Sequence, residues 1–134
     1  MNDCIFCKII NKEIPCAKIY EDEHTLAFLD ISNDCFGHTL VIPKQHYTNV
    51  LDCPESVLSK VISTVKKVSK HYVENCGFDG INILNANEKA GEQSVFHLHF
   101  HILPRKNGDN LKTFPILPKN TKPLDEIAND LKIK

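Results

Sequence analysis

The chain has 134 residues, of which 42% are hydrophobic and 25% are charged, so it is long enough for one domain with its own core. Seventeen acidic and 16 basic residues give a net charge of −1. This balance argues against nucleic acid or a membrane surface as the main partner, but it is compatible with a small nucleotide.

The six cysteines are interpreted together with the expected compartment. The sequence has no apolar stretch of transmembrane length and no signal-peptide core, so we expect a cytoplasmic protein. In a reducing compartment, closely spaced cysteines are more often metal ligands or redox groups than disulfides. We find no repeats or linkers and expect a single domain over residues 1–134.

The N-terminal part of the chain predicts a short helix followed by three strands. A Cys-x-x-Cys pair, Cys4 and Cys7, accompanies a helical turn or two at residues 5–10. Alternating apolar residues and flanking turn residues then predict strands and a loop, in the order strand 18–22, strand 25–30, loop 33–37 and strand 37–43.

One long amphipathic helix follows these strands. Its predicted N-cap is Asp52 or Cys53, with Pro54 at the first helical position. Gly77 is the expected C-terminal cap. Apolar residues recur at helical spacing on one face, while the lysines on the other face are expected to be solvated.

The C-terminal part predicts two more strands and a short helix. In chain order these are strand 80–85, polar loop 86–92, a histidine-bearing strand 93–105, a charged loop and a helix near 124–131. The order of elements predicts an α+β fold in which an antiparallel meander sheet of about five strands is packed by the long helix.

Three histidines at every second position mark the last strand: His97, His99 and His101. Strand alternation places their imidazoles on one face and the intervening apolar residues in the core. Neighbouring rings on a strand face are about 6.5 to 7 Å apart and the outer pair about 13 Å. Zinc–nitrogen bonds are about 2 Å long, so all three rings cannot share one metal ion. A strand that carries these histidines by chance is disfavoured, because histidine is a poor strand former.

Residues 97–103 resemble the signature of the histidine triad (HIT) family, in which histidines and apolar residues alternate. Further segments match that family in the same order: Cys4-Ile-Phe-Cys-Lys-Ile-Ile, Lys12-Glu-Ile-Pro, Leu26-Ala-Phe-Leu-Asp-Ile-Ser, Gly37-His-Thr-Leu-Val-Ile-Pro-Lys and Gln93-Ser-Val. The resemblance covers residues 3–105 and is strongest to bacterial members of the nucleoside-phosphoramidase branch. The tail, residues 106–134, matches none of its motifs.

The resemblance implies a HIT-like fold, a homodimer with joined sheets, and nucleotidyl transfer or hydrolysis at the α-phosphate of a purine nucleotide. His99 takes the place of the family's nucleophile, and a nucleotidyl-histidine would be hydrolysed to a nucleoside monophosphate. His101 would donate a hydrogen bond or proton to the phosphate or leaving group. Ser94 and the backbone N–H groups of residues 91–94 would hold the non-bridging oxygens. An asparagine also contacts this region, either Asn85, our first choice, or Asn87.

The resemblance also implies a nucleoside site. Asp30 would bind the ribose hydroxyls, because a carboxylate can accept from both. The base would lie against an apolar slot formed by Ile5, Phe6, Ile9, Ile14 and Phe28; simple core packing is an equal alternative for Ile9 and Ile14. His38 would either orient the triad or be a structural histidine.

Cys4 and Cys7 have the spacing of zinc ligands, and the resemblance implies that His46 and His97 complete the set. A closed Cys2His2 set predicts one structural zinc ion per chain, with no catalytic metal required. A redox pair or two ordinary thiols are the alternatives for the cysteines. For the protein as a whole, the alternatives are hydrolysis of dinucleoside polyphosphates or acyl-adenylates, or a nucleotide-binding module with vestigial catalysis.

Overall fold

Five strands form one antiparallel sheet in the spatial order β1-β2-β3-β5-β4. The computed structural model describes residues 3–32 and 34–134, so Asn33 of the predicted 33–37 loop lies outside the described residues. The strands are β1 (Lys18–Glu21), β2 (Thr25–Leu29), β3 (Thr39–Pro43), β4 (Gly80–Leu84) and β5 (Phe100–Arg105). The helices are α1 (Ile5–Ile10), α2 (Glu55–Asn75) and α3 (Leu124–Leu131), with a 3-10 turn at Lys89–Gly91.

The predicted α+β fold is confirmed, and its strand order places the histidine segment near the middle of the sheet. β1, β2 and β3 follow one another as a meander. Helix α2 then carries the chain across the sheet to the far edge, where β4 begins. β5 returns between β4 and β3 and pairs with both. β5, which carries His101, is therefore flanked by a strand on each side.

Both faces of the sheet are apolar and covered, which explains why β2 and β3 are almost entirely buried. One face packs on α2 through a cluster built around Val41, Leu98, Ile102, Val61 and Val65. The opposite face carries a second cluster of Phe6 from α1 with Leu26, Phe28, Leu40 and Ile42. Alternate residues of each strand thus serve different layers, and the second layer lies beside the histidine rings.

The prediction of Asp52 or Cys53 as the N-cap of α2 is wrong. The cap is Pro54, whose carbonyl accepts from the N–H groups of Val57 at 3.1 Å and Leu58 at 2.9 Å. The Asp52 carboxylate points backwards and accepts from the N–H groups of Thr48 and Asn49 at 3.1 and 3.0 Å. It closes the preceding turn and is not available to the helix.

The histidine strand is shorter than the predicted 93–105, because β5 begins only at Phe100. Upstream of it, the backbone bonds to a loop and a side chain and not to a neighbouring strand. The Leu98 N–H donates to the Tyr47 carbonyl at 2.7 Å, and the His99 carbonyl accepts from Asn85 Nδ2 at 3.0 Å. The alternation of faces persists, since Leu98 and Ile102 are fully buried in the α2 layer.

The tail forms the predicted short helix, α3, with an uncovered apolar side. Leu124 and Leu131 are 79% and 75% exposed. Within residues 3–32 and 34–134, none of the helices has both the length and the apolar character that crossing a bilayer requires.

Candidate functional site

Cys4, Cys7, His46 and His97 converge, as the resemblance implied, and their ligand atoms all lie within 4.8 Å of one another. His97 Nδ1 lies 3.3 Å from Cys4 Sγ, 3.6 Å from Cys7 Sγ and 3.1 Å from His46 Nδ1. Cys7 Sγ lies 3.3 Å from His46 Nδ1. Helix α1 supplies Cys7 and its N-cap Cys4, so the pair anchors the N-terminal segment to the histidine segment.

These residues fit a zinc ion. Bonds of about 2.0 Å to nitrogen and 2.3 Å to sulfur place tetrahedral nitrogen and sulfur ligands about 3.5 Å apart, close to the separations above. His97 Nε2–H donates to the Pro43 carbonyl at 2.9 Å, which leaves the Nδ1 lone pair facing the cysteines. Burial lowers the pKa of His97 to about 4, so its ring is neutral at pH 7, as a metal ligand requires.

His99 is placed so that one ring nitrogen stays free. Its Nδ1–H donates to the His97 carbonyl at 2.8 Å, which fixes the tautomer with a lone pair on Nε2. The residue is 5% exposed, and burial lowers its pKa. A neutral imidazole with an uncommitted Nε2 can act as a nucleophile at neutral pH.

His101 belongs to a hydrogen-bonded chain of side chains at the other end of the segment. Its Nδ1 lies 2.9 Å from His38 Nε2, and His38 Nδ1–H donates to the Asp34 carboxylate at 2.7 Å. Burial, followed by the neighbouring His99 and His38, lowers the pKa of His101 to about 4. The His101 ring lies next to His99, with 4.9 Å between the ring centres. His38 is thus a partner of the triad.

Asp30 lies within reach of the same group. Its Oδ1 accepts from the Ser32 N–H at 2.8 Å, while Oδ2 lies 3.6 Å from His38 Nε2. The Asp30 side chain is 21% exposed, and a backbone N–H holds only one of its two oxygens.

Of the five residues expected to form the base slot, Phe6, Phe28 and Ile9 pack in one apolar cluster, to which Ile5 and Ile14 do not belong. Phe6 and Phe28 are 5% and 3% exposed, and their rings meet edge to face at 5.6 Å. The Phe6 ring also meets the His99 ring edge to face at 5.2 Å. Ile9 and Ile14 are half-buried, and Ile5 is 42% exposed. Phe6 therefore contacts both the second apolar cluster and the His99 ring.

The two candidate asparagines have different positions. Asn85 bonds to the His99 carbonyl, whereas Asn87 Nδ2 donates to Asn85 Oδ1 and Asn87 Oδ1 accepts from the Val50 N–H at 2.8 Å. Asn85 therefore contacts the histidine segment directly, whereas Asn87 contacts it only through Asn85.

In the loop before the histidines, most backbone N–H groups of residues 91–94 already donate to carbonyls of the same loop. Gly91, Glu92 and Gln93 donate them to carbonyls of Glu88 and Lys89 at 3.0 to 3.1 Å. The prediction that the N–H groups of residues 91–94 hold phosphate oxygens therefore narrows to Ser94. Ser94 is exposed and, within the described part of the chain, has no side-chain hydrogen bond to a triad histidine.

Sequence reasoning missed the polar network that holds this loop. Buried Asn49 donates to Glu88 Oε2 at 2.6 Å and to Gln93 Oε1 at 3.1 Å. Glu88 and Glu92 both have positive φ, at 67° and 68°. Asp34 was also missed. An asparagine in a loop and an aspartate four residues before a histidine are too common to signal these roles.

The chain is similar to several known proteins. The HIT domain family model matches residues 11–108. A protein of Schizosaccharomyces pombe named adenosine 5'-monophosphoramidase is 38% identical over 135 residues, covering 96% of this chain and 98% of that protein. A protein of Arabidopsis thaliana named adenylylsulfatase is 42% identical over 130 residues, covering 97% of this chain and 66% of that protein.

A solved structure extends the similarity to three dimensions. A zinc-bound histidine triad family protein from Mycobacterium smegmatis superposes with a TM-score of 0.78 at 38% identity. The match covers 84% of this chain and 81% of the other.

Proposed function

This chain belongs to the histidine triad (HIT) family, and on that premise we propose that it hydrolyses purine nucleoside phosphoramidates at the α-phosphate, releasing a nucleoside monophosphate. The observation that carries the proposal is the state of His99. Its Nδ1–H is bound to the His97 carbonyl at 2.8 Å, and its Nε2 is free in a buried ring.

The proposed reaction has two displacements at phosphorus. In the first, the Nε2 lone pair of His99 bonds to the α-phosphorus while the phosphorus–nitrogen bond to the amine breaks, and the amine takes a proton. In the second, a water oxygen bonds to phosphorus while the bond to Nε2 breaks. This step releases the nucleoside monophosphate and neutral His99, and a proton of the water returns to the acid–base group.

His101 is the proposed acid–base group, working with His38. A pKa near 4 keeps the His101 ring neutral without substrate, but a phosphate anion in the site raises it by direct charge attraction. Before His101 gives its proton to the amine, His38 Nε2, 2.9 Å from His101 Nδ1, is close enough to share the positive charge of the protonated His101 ring. Asp34 stabilises that charge through His38 Nδ1.

Substrate binding is proposed to use the flanking groups. Asp30 Oδ2 would accept from the ribose hydroxyls, and the base would lie on the slot of Ile5, Phe6, Ile9, Ile14 and Phe28. The Ser94 hydroxyl and N–H would hold phosphate oxygens, with Asn85 beside them. Adenine and guanine both suit an apolar slot.

The test compares His99→Ala with His71→Ala, an exposed histidine on α2, on an adenosine phosphoramidate. We expect His99→Ala to lose at least about a thousandfold in kcat, because the variant lacks the imidazole proposed to bond to phosphorus, while AMP binding persists. His71→Ala should match the wild type. Acid quenching of the wild type should trap a nucleotidyl adduct on His99, and wild-type turnover by His99→Ala would refute the assignment.

A second candidate substrate class is supported by the similarity to the protein named adenylylsulfatase. An acyl-adenylate or a dinucleoside polyphosphate would use the same attack by His99 with an acidic leaving group that needs no proton. The ratio of kcat/KM for the two classes, and its change in His101→Gln, distinguishes them. AMP binding without turnover of any of these compounds would identify a binding module.

We also propose one structural zinc ion per chain, held by Cys4, Cys7, His46 and His97. Thiolate ligands suit a reducing compartment, which supports the cytoplasm as the location. We propose further that the protein is a homodimer joined through the exposed edge of β4, and that residues 1–134 form one domain.

A further inference from the structure

We propose that Asp30, His38 and His101 form a second divalent-metal site, separate from the Cys2His2 group. The three residues come from neighbouring strands: Asp30 follows β2, His38 precedes β3 and His101 lies in β5. Antiparallel pairing of β3 with both β2 and β5 brings them to one end of the sheet. Their ligand atoms all lie within 4.8 Å of one another.

The separations suit a transition metal. His38 Nε2 lies 2.9 Å from His101 Nδ1 and 3.6 Å from Asp30 Oδ2. Bonds of about 2.0 to 2.2 Å to nitrogen and oxygen place neighbouring ligands of one ion about 3 to 3.5 Å apart. Two of the three separations are close to this spacing, and all the ligand atoms lie within 4.8 Å of one another.

Two outer contacts orient the ligands. Asp34 accepts from His38 Nδ1–H at 2.7 Å, so the His38 lone pair is on Nε2 and faces His101 and Asp30. The Ser32 N–H holds Asp30 Oδ1 at 2.8 Å, which leaves Oδ2 for the centre of the group. A carboxylate bound to the far nitrogen of a histidine ligand is a recurrent feature of metal sites.

An ion bound to this group would take the place of a hydrogen bond between the two rings. His38 Nδ1–H donates to Asp34, so His38 Nε2 accepts from His101 Nδ1–H at 2.9 Å. Ion binding would move the His101 ring proton to Nε2 and free Nδ1 as a ligand. Two imidazoles and one carboxylate favour zinc, cobalt, nickel or iron(II) over magnesium or calcium, and they leave coordination positions open.

The site has a consequence for nucleotide binding. Asp30 and His101 are also proposed to contact ribose and phosphate, so an ion and a nucleotide would exclude each other. This competition rests on the proposed function, whereas the metal site itself does not.

The experiment starts from protein that holds one zinc ion per chain and adds Co²⁺. We expect one further ion per chain, with d–d absorption but without the sulfur-to-cobalt charge transfer that the Cys2His2 site would give. His38→Gln should abolish the second ion, and Asp34→Asn, on the exposed outer residue, should weaken it about 10- to 100-fold with unchanged zinc content. His71→Gln, at an exposed histidine, should leave it unaltered.

A total of one ion per chain in the wild type, or a second ion that persists in both His38→Gln and Asp34→Asn, would overturn the metal site. For the competition, saturating AMP should raise the apparent Kd for Co²⁺. Undiminished Co²⁺ affinity in saturating AMP would refute the competition and leave the metal site standing. Co²⁺ binding by a protein that turns over no nucleotide substrate would instead refute the proposed function.

Discussion

At the scale of residues, the triad histidines differ in which ring nitrogen is committed. His97 uses Nε2 to hold a carbonyl and presents Nδ1 to the cysteines. His99 does the reverse, holding a carbonyl through Nδ1 and keeping Nε2 free. His101 turns Nδ1 toward His38. These different contacts support the roles proposed for three chemically identical side chains: metal binding for His97, nucleophilic attack for His99 and proton transfer for His101.

The lowered pKa of His101 predicts an acid-sensitive fold. The unfolded chain binds a proton at this position below about pH 6.5, whereas the folded protein does so only near pH 4. The free energy of unfolding therefore falls as the pH drops from 6.5 to 4, and His101 contributes up to about 3 kcal/mol of that fall. Urea denaturation of the wild type and His101→Gln across this range measures the contribution.

The comparison isolates His101, because loss of zinc and protonation of the other histidines affect both proteins. We expect a shallower pH dependence in His101→Gln, and parallel curves would contradict a buried neutral ring. Above pH 6.5 the difference between the two proteins should become constant.

The sequence predicted the residues of the site better than their contacts. Period-two alternation placed three rings on one side, and the strand spacing excluded a single metal shared by all three. The choice of nitrogen on each ring could not be foreseen, because it depends on carbonyls of Pro43 and of His97 itself. The roles of Asp34 and Asn49 could not be predicted either, because their hydrogen-bond partners are distant in the chain or depend on the shape of a loop.

At the scale of elements, the long periodic segments were predicted well and their ends poorly. Helix α2 and the two-faced strands follow from hydrophobic period alone. The cap of α2 and the start of β5 do not, because Asp52 and Asn85 use their side chains to bond backbone groups elsewhere. A polar side chain at the end of a helix or strand can cap that element, or it can bond to a backbone group that would otherwise pair with a neighbouring strand. Only the tertiary structure decides between the two.

The edge strand β4 is the basis for predicting how two chains assemble. Its sequence is Gly-Ile-Asn-Ile-Leu, with no charged residue, and Ile83 is 51% exposed. The opposite edge strand, β1, carries Lys18 and Glu21, which discourage pairing. We expect light scattering to show the proposed homodimer for the wild type and for Ile19→Lys on β1, but a monomer for Ile83→Lys. A monomeric wild-type mass would refute the dimer.

At the scale of the whole molecule, the two faces of the sheet have different tasks. The α2 face holds the larger cluster of buried aliphatic residues, from Val41 to Ile102. The other face combines a smaller apolar layer with the histidines and the cysteines. Because α1 is only six residues long, we infer that this second face depends on additional ties between α1 and the sheet.

We propose that the zinc ion links α1 to the sheet, so its removal should destabilise the whole fold. We expect Cys4→Ser to abolish stoichiometric zinc and to lower the free energy of unfolding by several kcal/mol, since structural zinc contributes about 10 kcal/mol or more in small peptides. Cys16→Ser is the matched control, because Cys16 is half-buried and lies outside the Cys2His2 group. Elemental analysis and thermal unfolding measure the two effects, and equal behaviour of the two variants would refute a structural metal.

The two glutamates with positive φ have a consequence for how the loop before the histidines could be redesigned. Glycine adopts such backbone conformations freely but is also the most disordered residue in the unfolded chain. At Glu92, which is exposed, glycine would relieve strain without removing a side-chain hydrogen bond described for that residue. Glu88 has a ψ of 166°, in a region that almost only glycine adopts, so glycine would relieve more strain there but leave the buried Asn49 amide short of an acceptor. Two positions with positive φ therefore differ in what one substitution costs, and only Glu92 can become glycine without removing a side-chain hydrogen bond of this loop.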